Sequence, residues 1–358
     1  MDAGAGGAGR RETAVMRNKH QRPAFLDQPA PAGARLTTSA MIASIAGADQ
    51  PTRAAPFGHA LVELARTRPD IVGLTADLSK YTDLHVFAKA YPERFYQMGM
   101  AEQLLMGAAA GMAREGFTPF VTTYAVFATR RAYDFICMAI AEEMLPVKIV
   151  CALPGLTTGY GPSHQATEDL AIFRGMPNLT IIDPCDALDI EQATPAIAAH
   201  PGPVYMRLLR GAVPVVLDRY DYKFEIGRAK RLRDGADVVI ISSGLMTMRA
   251  LEAAERLAEQ GVSAAVVHSP TIKPLDEATI LQEAGRDNRP VVVAENHSVI
   301  GGLGEAVASL LMRNGVRNRF RQIALPDAFL DAGALPTLHD RYGLSASEVA
   351  KTVRAFLN

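Results

Sequence analysis

The feature that most constrains this chain is an alternation between short apolar runs with the look of strands and longer stretches whose apolar residues recur every three or four positions. Between about residues 52 and 215 the runs Ile71 to Thr75, Val147 to Leu153, Thr180 to Asp183 and Val204 to Arg207 read as strands. Between them Phe57, Leu61 and Leu64, then Leu104 to Met112, then Ala187 to Ala198 carry the spacing of amphipathic helices. A parallel sheet whose strands are joined by crossover helices is the architecture this order demands. A second unit of the same kind begins near residue 229, with strands at Val238 to Ser242, Ala264 to His268 and Val291 to Glu295. Helices are expected over Met246 to Glu259 and Leu303 to Met312, with a last one from Ser345, a good N-cap, to Phe356. The predicted fold class is therefore α/β, as two consecutive open, mostly parallel sheet domains.

The domain reading is an N-terminal arm over 1–51, a first domain over 52–215, a linker over 216–228 and a second domain over 229–358. The arm is rich in Ala, Gly and Pro and lacks a sustained apolar period, so it reads as flexible. At 358 residues and 49% hydrophobic content, the chain has material for two cores. Its 37 basic and 38 acidic residues leave a formal charge of −1, which gives no electrostatic reason to expect nucleic acid or an anionic membrane. No run approaches the roughly 18 apolar residues of a membrane span. Cys137, Cys151 and Cys185 are an odd set in apolar stretches, which fits reduced thiols and a cytoplasmic location.

Generic signatures fail. No phosphate-binding loop of the G-x-x-x-x-G-K-[ST] type occurs, and no H-E-x-x-H, G-x-S-x-G or paired C-x-x-C. Gly301, Gly302 and Gly304 follow a strand with the wrong spacing for a dinucleotide fingerprint and read as a tight turn before a helix. Other segments are more informative. Glu102 opens a helix of otherwise apolar or very small residues, where a carboxylate either complements the helix dipole or is buried to exchange a proton with a ligand nitrogen. Gly107, Ala108 and Gly111 on that helix would admit close approach of another helix. Tyr124, Phe127 and Arg130 recur every three residues, as a core stripe or as a stacking surface for a flat heterocycle. His164 lies in a Gly and Pro loop just beyond a predicted strand end, where open α/β sheets bind ligands. Arg210 also follows a strand end and suits an anionic group or a surface ion pair.

Taken together and in order, DLSKYTDL at Asp77, GMAEQ around Glu102, TYAVFATRRAYD, GPSHQATEDLAIFRGMPN and VYMRLLRG resemble the middle domain of transketolases and deoxyxylulose phosphate synthases. The later stretch AENHSVIGGLGEAV resembles their C-terminal domain. The resemblance implies a thiamine-diphosphate-dependent enzyme. It also implies a split one, because the G-D-G and Asn signature of the family's diphosphate-binding domain is not found here. Mg²⁺ and the diphosphate are then expected on a separate N-terminal transketolase subunit, in an α2β2 assembly or around a homodimer of this chain.

By the same resemblance Glu102 matches the glutamate that protonates the cofactor's aminopyrimidine N1′. Tyr124, Phe127 and Arg130 match the pyrimidine pocket, and Asp77 and Leu78 the cofactor-facing loop. His164 matches the histidine near the reacting carbonyl, and Arg210 a substrate phosphate ligand. Two departures bear on substrate. Tyr160 stands four residues before His164, where the family has an Asp that reads a donor hydroxyl, and Ala152 stands where transketolases place a second histidine. Besides pentose phosphates, these admit a modified or branched sugar such as apulose phosphate. The implied activity is transfer of a two-carbon ketol unit from a ketose, a sugar phosphate in the first instance, to an aldose. The alternatives are a pyruvate-using relative of deoxyxylulose phosphate synthase and a non-catalytic module with the same fold.

Overall fold

Apolar runs bury fully in a parallel sheet only when helices cover both of its faces, and the strands here obey that rule. The computed structural model describes residues 50–358, so nearly all of the expected arm lies outside the described residues. The strands of the first half are β1 (Thr52–Ala54), β2 (Ile71–Thr75), β3 (Phe95–Gln97), β4 (Thr118–Tyr124), β5 (Lys148–Ala152), β6 (Thr180–Ile182), β7 (Val204–Leu208) and β8 (Ala212–Pro214). Those of the second half are β9 (Lys230–Arg233), β10 (Val238–Ser242), β11 (Ala264–His268), β12 (Thr271–Lys273), β13 (Val291–Ser298) and β14 (Phe320–Leu325).

The first sheet runs in the order β12-β6-β7-β5-β4-β2-β3 and is parallel except for β12. The second runs β14-β13-β10-β11-β9 and is parallel except for β9. Strands β2, β4, β5 and β7 are buried along their whole length. The chain therefore folds as two α/β domains with mostly parallel sheets. They are not wholly separate: β12, from the second half, caps the edge of the first sheet beside β6, pairing Thr271 with Ile182. An open edge is a site of unwanted pairing, and a short antiparallel strand closes it. Likewise β1 and β8 form a two-stranded ribbon, with Arg53 opposite Val213.

A buried polar seam joins the halves. The Arg207 guanidinium, on β7, donates to both carboxylate oxygens of Asp169 at 2.8 and 2.9 Å, to Asp183 at 3.1 Å and to the carbonyl of Asn296 at 3.0 Å. Asp183 also accepts from Ser243 at 2.8 Å. Deeper still, Asp189 accepts from the Cys185 backbone and the Tyr222 hydroxyl and lies 2.9 Å from His268 Nε2. Cys185, Asp189 and His268 are thus gathered, yet the carboxylate already has its partners, so the cluster reads as a tie between β11 and the Ala187–Ala199 helix.

Between β2 and β4 the chain first steps out to β3 and then back across β2. That reversal opens a crevice at the carboxyl ends of β2 and β4, the place where open α/β sheets hold ligands.

Candidate active site

The crevice holds a cavity of about 420 Å³, within the range of ligand sites. Each wall comes from a different element. Tyr124 is the last residue of β4, and its extended backbone (φ −79°, ψ 146°) starts the Ala125–Arg131 helix, which carries Phe127 one turn on. Their ring centroids lie 5.7 Å apart, tilted by 38°. Opposite them, Ala76, Leu78 and Tyr81 follow β2, and Met100 precedes the Glu102–Arg114 helix. Tyr160 and His164 close the cavity from the loop after β5.

Glu102 is the first residue of its helix, only 4% exposed, and it lines the cavity. Its Oε1 accepts from Arg131 at 3.0 Å. The Arg131 guanidinium also lies 4.1 Å from the Phe127 ring centre. His164 sits among rings, with centroids 5.4 Å from Tyr160, 5.5 Å from Phe127 and 6.0 Å from Tyr124. Burial, reinforced by the positive charge of Arg131, pulls the His164 imidazole below its usual range, so at neutral pH it is a neutral ring. Its Nδ1 is 2.9 Å from Ser163 Oγ. The Tyr124 phenol is pushed up by burial, with Arg210 opposing the shift and Tyr160 and Tyr81 adding to it. One aromatic cavity thus holds a buried carboxylate, a neutral histidine and phenols within electrostatic reach of an arginine.

Six of the nine residues singled out from the sequence line this cavity: Glu102, Tyr124, Phe127, Leu78, Tyr160 and His164. Arg130 does not. It turns away to pair with Glu168 and donates to the carbonyls of Pro162 and Gln165, and Arg131 takes the place expected for it. Residues three apart on a helix diverge by about 60° and residues four apart by about 40°, so Phe127 shares its face more closely with Arg131. Asp77 also stays outside the lining. In the left-handed region at φ 59°, its carboxylate accepts from the Gln97 side chain at 3.0 Å while its N–H donates back to Gln97 at 2.8 Å. Arg210 lies at the rim, 5.7 Å from the Tyr81 ring centre, and its buried Nε has no hydrogen-bond partner among the described residues. Arg131, Tyr81, Met100 and Ala76 were not foreseen. Arg131 is the one with a sequence signal, as the second arginine of the pair after the aromatic stripe.

Fold and site together define a two-domain α/β protein whose first domain presents a buried carboxylate and a tilted pair of aromatic rings to a cavity at the sheet's carboxyl edge. Residues 49–215 match the transketolase pyrimidine-binding domain and residues 227–349 the transketolase C-terminal domain. The chain belongs to the transketolase family. It is 73% identical to the transketolase family protein y4mN of Sinorhizobium fredii, over 96% of this chain and 100% of that one. It is 39% identical to a 6-deoxy-6-sulfo-D-fructose transketolase subunit from a Clostridium species, over 81% of this chain and 90% of that one. Against a 1-deoxy-D-xylulose-5-phosphate synthase of Geobacter sulfurreducens it is 37% identical over 84% of its own length but only 47% of the synthase. Among solved structures, a split-gene transketolase in an inactive β4 tetramer superposes with a TM-score of 0.78 at 43% identity, covering 85% of this chain and 97% of that one. Among the described residues, no helix is long and apolar enough to cross a membrane.

Proposed function

We propose that this chain is the C-terminal subunit of a split, thiamine-diphosphate-dependent transketolase. It moves a two-carbon ketol unit from a ketose, a sugar phosphate in the first instance, to an aldose acceptor. A separately encoded N-terminal subunit supplies the diphosphate site and Mg²⁺, and the two assemble as α2β2. The observation that carries the reading is the buried Glu102 carboxylate facing an aromatic-walled cavity. Family membership and the split-gene neighbour support it.

The residues present fit the cofactor's pyrimidine end. Tyr124 and Phe127 offer ring faces, and Glu102 offers a carboxylate that water barely reaches. When bound, thiamine diphosphate supplies a carbon nucleophile and an electron sink at the reacting carbonyl. Glu102 holds a proton at the pyrimidine N1′, a charge-assisted contact strengthened by its dry surroundings. Arg131 must leave Glu102 and the Phe127 face for a ring to settle there, and with half its surface exposed it has room to do so. His164 donates to an oxygen that gains charge, and as a neutral ring it does so without adding a cation to the pocket. Arg210 draws an anionic group to the rim. A partner surface is supported by exposed apolar side chains, Met100 at 79% in the cavity lining, Leu104 at 56% on the helix that Glu102 opens, and Met138 at 53%.

A second reading is a pyruvate-using subunit, supported by the likeness to 1-deoxy-D-xylulose-5-phosphate synthases over about half of their length. One experiment decides both points. Cofactor affinity and turnover are measured for the isolated chain and for its complex with the N-terminal subunit, with xylulose 5-phosphate and with pyruvate as donors. Ketol transfer in the complex alone is expected. Full activity of the isolated chain refutes the split reading, and CO₂ release from pyruvate selects the second.

A further inference from the structure

The wall that carries Tyr160 and His164 has no helix or strand of its own between β5 and the Asp169–Arg174 helix, only a bridge from Pro154 and Gly155 to Ala166 and short turn contacts, so ties from outside bear on its shape. Five hydrogen bonds tie it to the second half of the chain, one of them a long contact of 3.5 Å from the Asn296 side-chain amide to the Pro154 carbonyl. Asn296, on β13, accepts the Leu156 N–H at 2.8 Å through its side-chain oxygen. His339 Nε2 lies 2.7 Å from the carbonyl of the same residue. The Gly333 N–H donates to the carbonyl of Gly159 at 2.9 Å. From the loop itself, Gln165 donates to the carbonyl of Asp331 at 3.2 Å, and within the loop to that of Thr158 at 3.2 Å.

These contacts are dry and closely fitted. Asn296, His339 and Gln165 are all buried. Gly155, at φ +56°, leaves no room for a Cβ, which would fall 2.2 Å from the carbonyl oxygen of Asn296. Asp331 is itself fixed by the Arg341 guanidinium at 2.7 Å and the Tyr342 hydroxyl at 3.1 Å. Burial pulls His339 down to about 4, so near neutral pH its ring is uncharged and carries one N–H. The Leu156 carbonyl, at 2.7 Å from Nε2, fixes that proton there.

We propose that Asn296 and His339 are positioning residues of the substrate wall: the C-terminal domain clamps residues 154–165 and thereby sets where Tyr160 and His164 stand. This rests on the reading above that those two side chains face the substrate.

Hydrogen exchange of the isolated chain tests the clamp without any activity. In Asn296→Ala and in His339→Ala, amides of 154–165 are expected to exchange about tenfold faster or more, while those of β10 do not change. His339→Gln, which keeps an N–H donor, is expected to restore the slow exchange. Val353→Ala, a core change in the Ala346–Leu357 helix, is expected to leave 154–165 as it was. If an alanine variant fails to fold, Arg341→Met, which frees Asp331 from the second half's side without touching the loop, carries the same expectation. In the complex with the N-terminal subunit, the clamp variants raise the donor KM with exchange at the cofactor's C2 unchanged. Unaltered exchange in 154–165, or equal loosening by Val353→Ala, overturns the clamp. Faster exchange with an unaltered donor KM overturns the substrate-wall reading and the positioning role with it.

Discussion

Arg207→Met removes the one cation among the described residues that faces both Asp169 and Asp183 inside the seam between the two sheets. Methionine fills much of the same space, so the loss is chiefly electrostatic. Asp169 keeps the Tyr205 hydroxyl at 2.7 Å and Asp183 keeps Ser243, but neither carboxylate keeps a counter-charge at hydrogen-bond distance among the described residues. Breaking a buried pair from one side costs about 3–5 kcal/mol, because the remaining charge is stranded away from water. For a domain of this size that lowers the unfolding midpoint by about 6–20 °C, at about 2–4 °C per kcal/mol. The sign with pH is fixed. Burial already pushes the Asp183 carboxyl up and Arg207 opposes it, so the variant's Asp183 titrates higher still. A carboxyl raised in the fold favours stability at low pH, and that contribution is lost as pH rises through its folded value. The gap between wild type and variant should therefore narrow as pH falls from 7 towards 5, and Asp183→Asn in the variant background should recover part of it. Urea unfolding across that range measures it. A gap that stays constant with pH would show that packing, not stranded charge, was lost.

Three further outcomes follow from the site and its frame. Glu102→Gln should slow hydrogen exchange at C2 of the bound cofactor by about 10²–10⁴-fold in the assembled enzyme without lowering the unfolding midpoint, and an unchanged rate would leave Glu102 as a helix-terminus acid. Tyr160→Asp should move relative kcat/KM towards ordinary ketose phosphates such as xylulose 5-phosphate with C2 exchange nearly constant, and an unchanged donor profile would place Tyr160 outside the substrate's path. Lys148, buried with its amine donating to the carbonyls of His200 and Gly202 at 2.6 and 2.7 Å, is pulled down to about 7 by burial. The unfolded chain then binds more protons between about 7 and 10.5, so stability rises with pH across that window, and Lys148→Met should flatten the rise; an equal slope in the two proteins at pH 7 to 9 would refute it.

Much of this was legible because burial on both faces of a sheet forces continuous apolar runs. Val238–Ser242 and Ala264–His268 are strands with the bounds the pattern predicts. Ser345 caps the last helix by accepting from the Glu348 N–H. The central strand β4 was missed. Its sequence TPFVTTY holds Pro119, which argues against a central strand. The fold tolerates it because pairing with β5 begins one residue later, at Phe120, so the missing N–H falls outside that ladder. Strand β14 was missed because at the edge of its sheet only Ile323 and Leu325 are buried and Arg321 is exposed, so the run reads as mixed. Arg130 was chosen over Arg131 because a three-residue recurrence looks regular in sequence, whereas a helix turns through 3.6. The clamp on 154–165 left no local signal at all, since its partners lie more than 100 residues away.

Under the proposed reading, the energetics of the half-site explain why a second chain is required. Stacking of one ring on Tyr124 and Phe127 contributes about 0.5–1.5 kcal/mol beyond area burial, and a charge-assisted hydrogen bond to Glu102 about 1.5–3 kcal/mol. Against these stands the displacement of Arg131 from the Phe127 face, about 0.5–1 kcal/mol at an exposed site. These directional contacts alone lie at or below the roughly 4.1 kcal/mol that a millimolar dissociation constant represents, with area burial on one side and the broken Arg131–Glu102 pair and the ring's lost freedom on the other. A pocket of this kind orients a pyrimidine without retaining it. Retention has to come from the diphosphate end, where a metal and fixed donors act on several charges at once. If the proposal holds, the division between chains separates two tasks: the partner would hold the cofactor, and this chain would supply the Glu102 carboxylate and the His164 imidazole that face the reacting atoms. That division also gives Arg131 a role when the partner is away. Paired with Glu102 and laid over Phe127, it keeps a buried carboxylate from standing alone in the cavity and yields that position once a ring nitrogen arrives with which the carboxyl can share a proton.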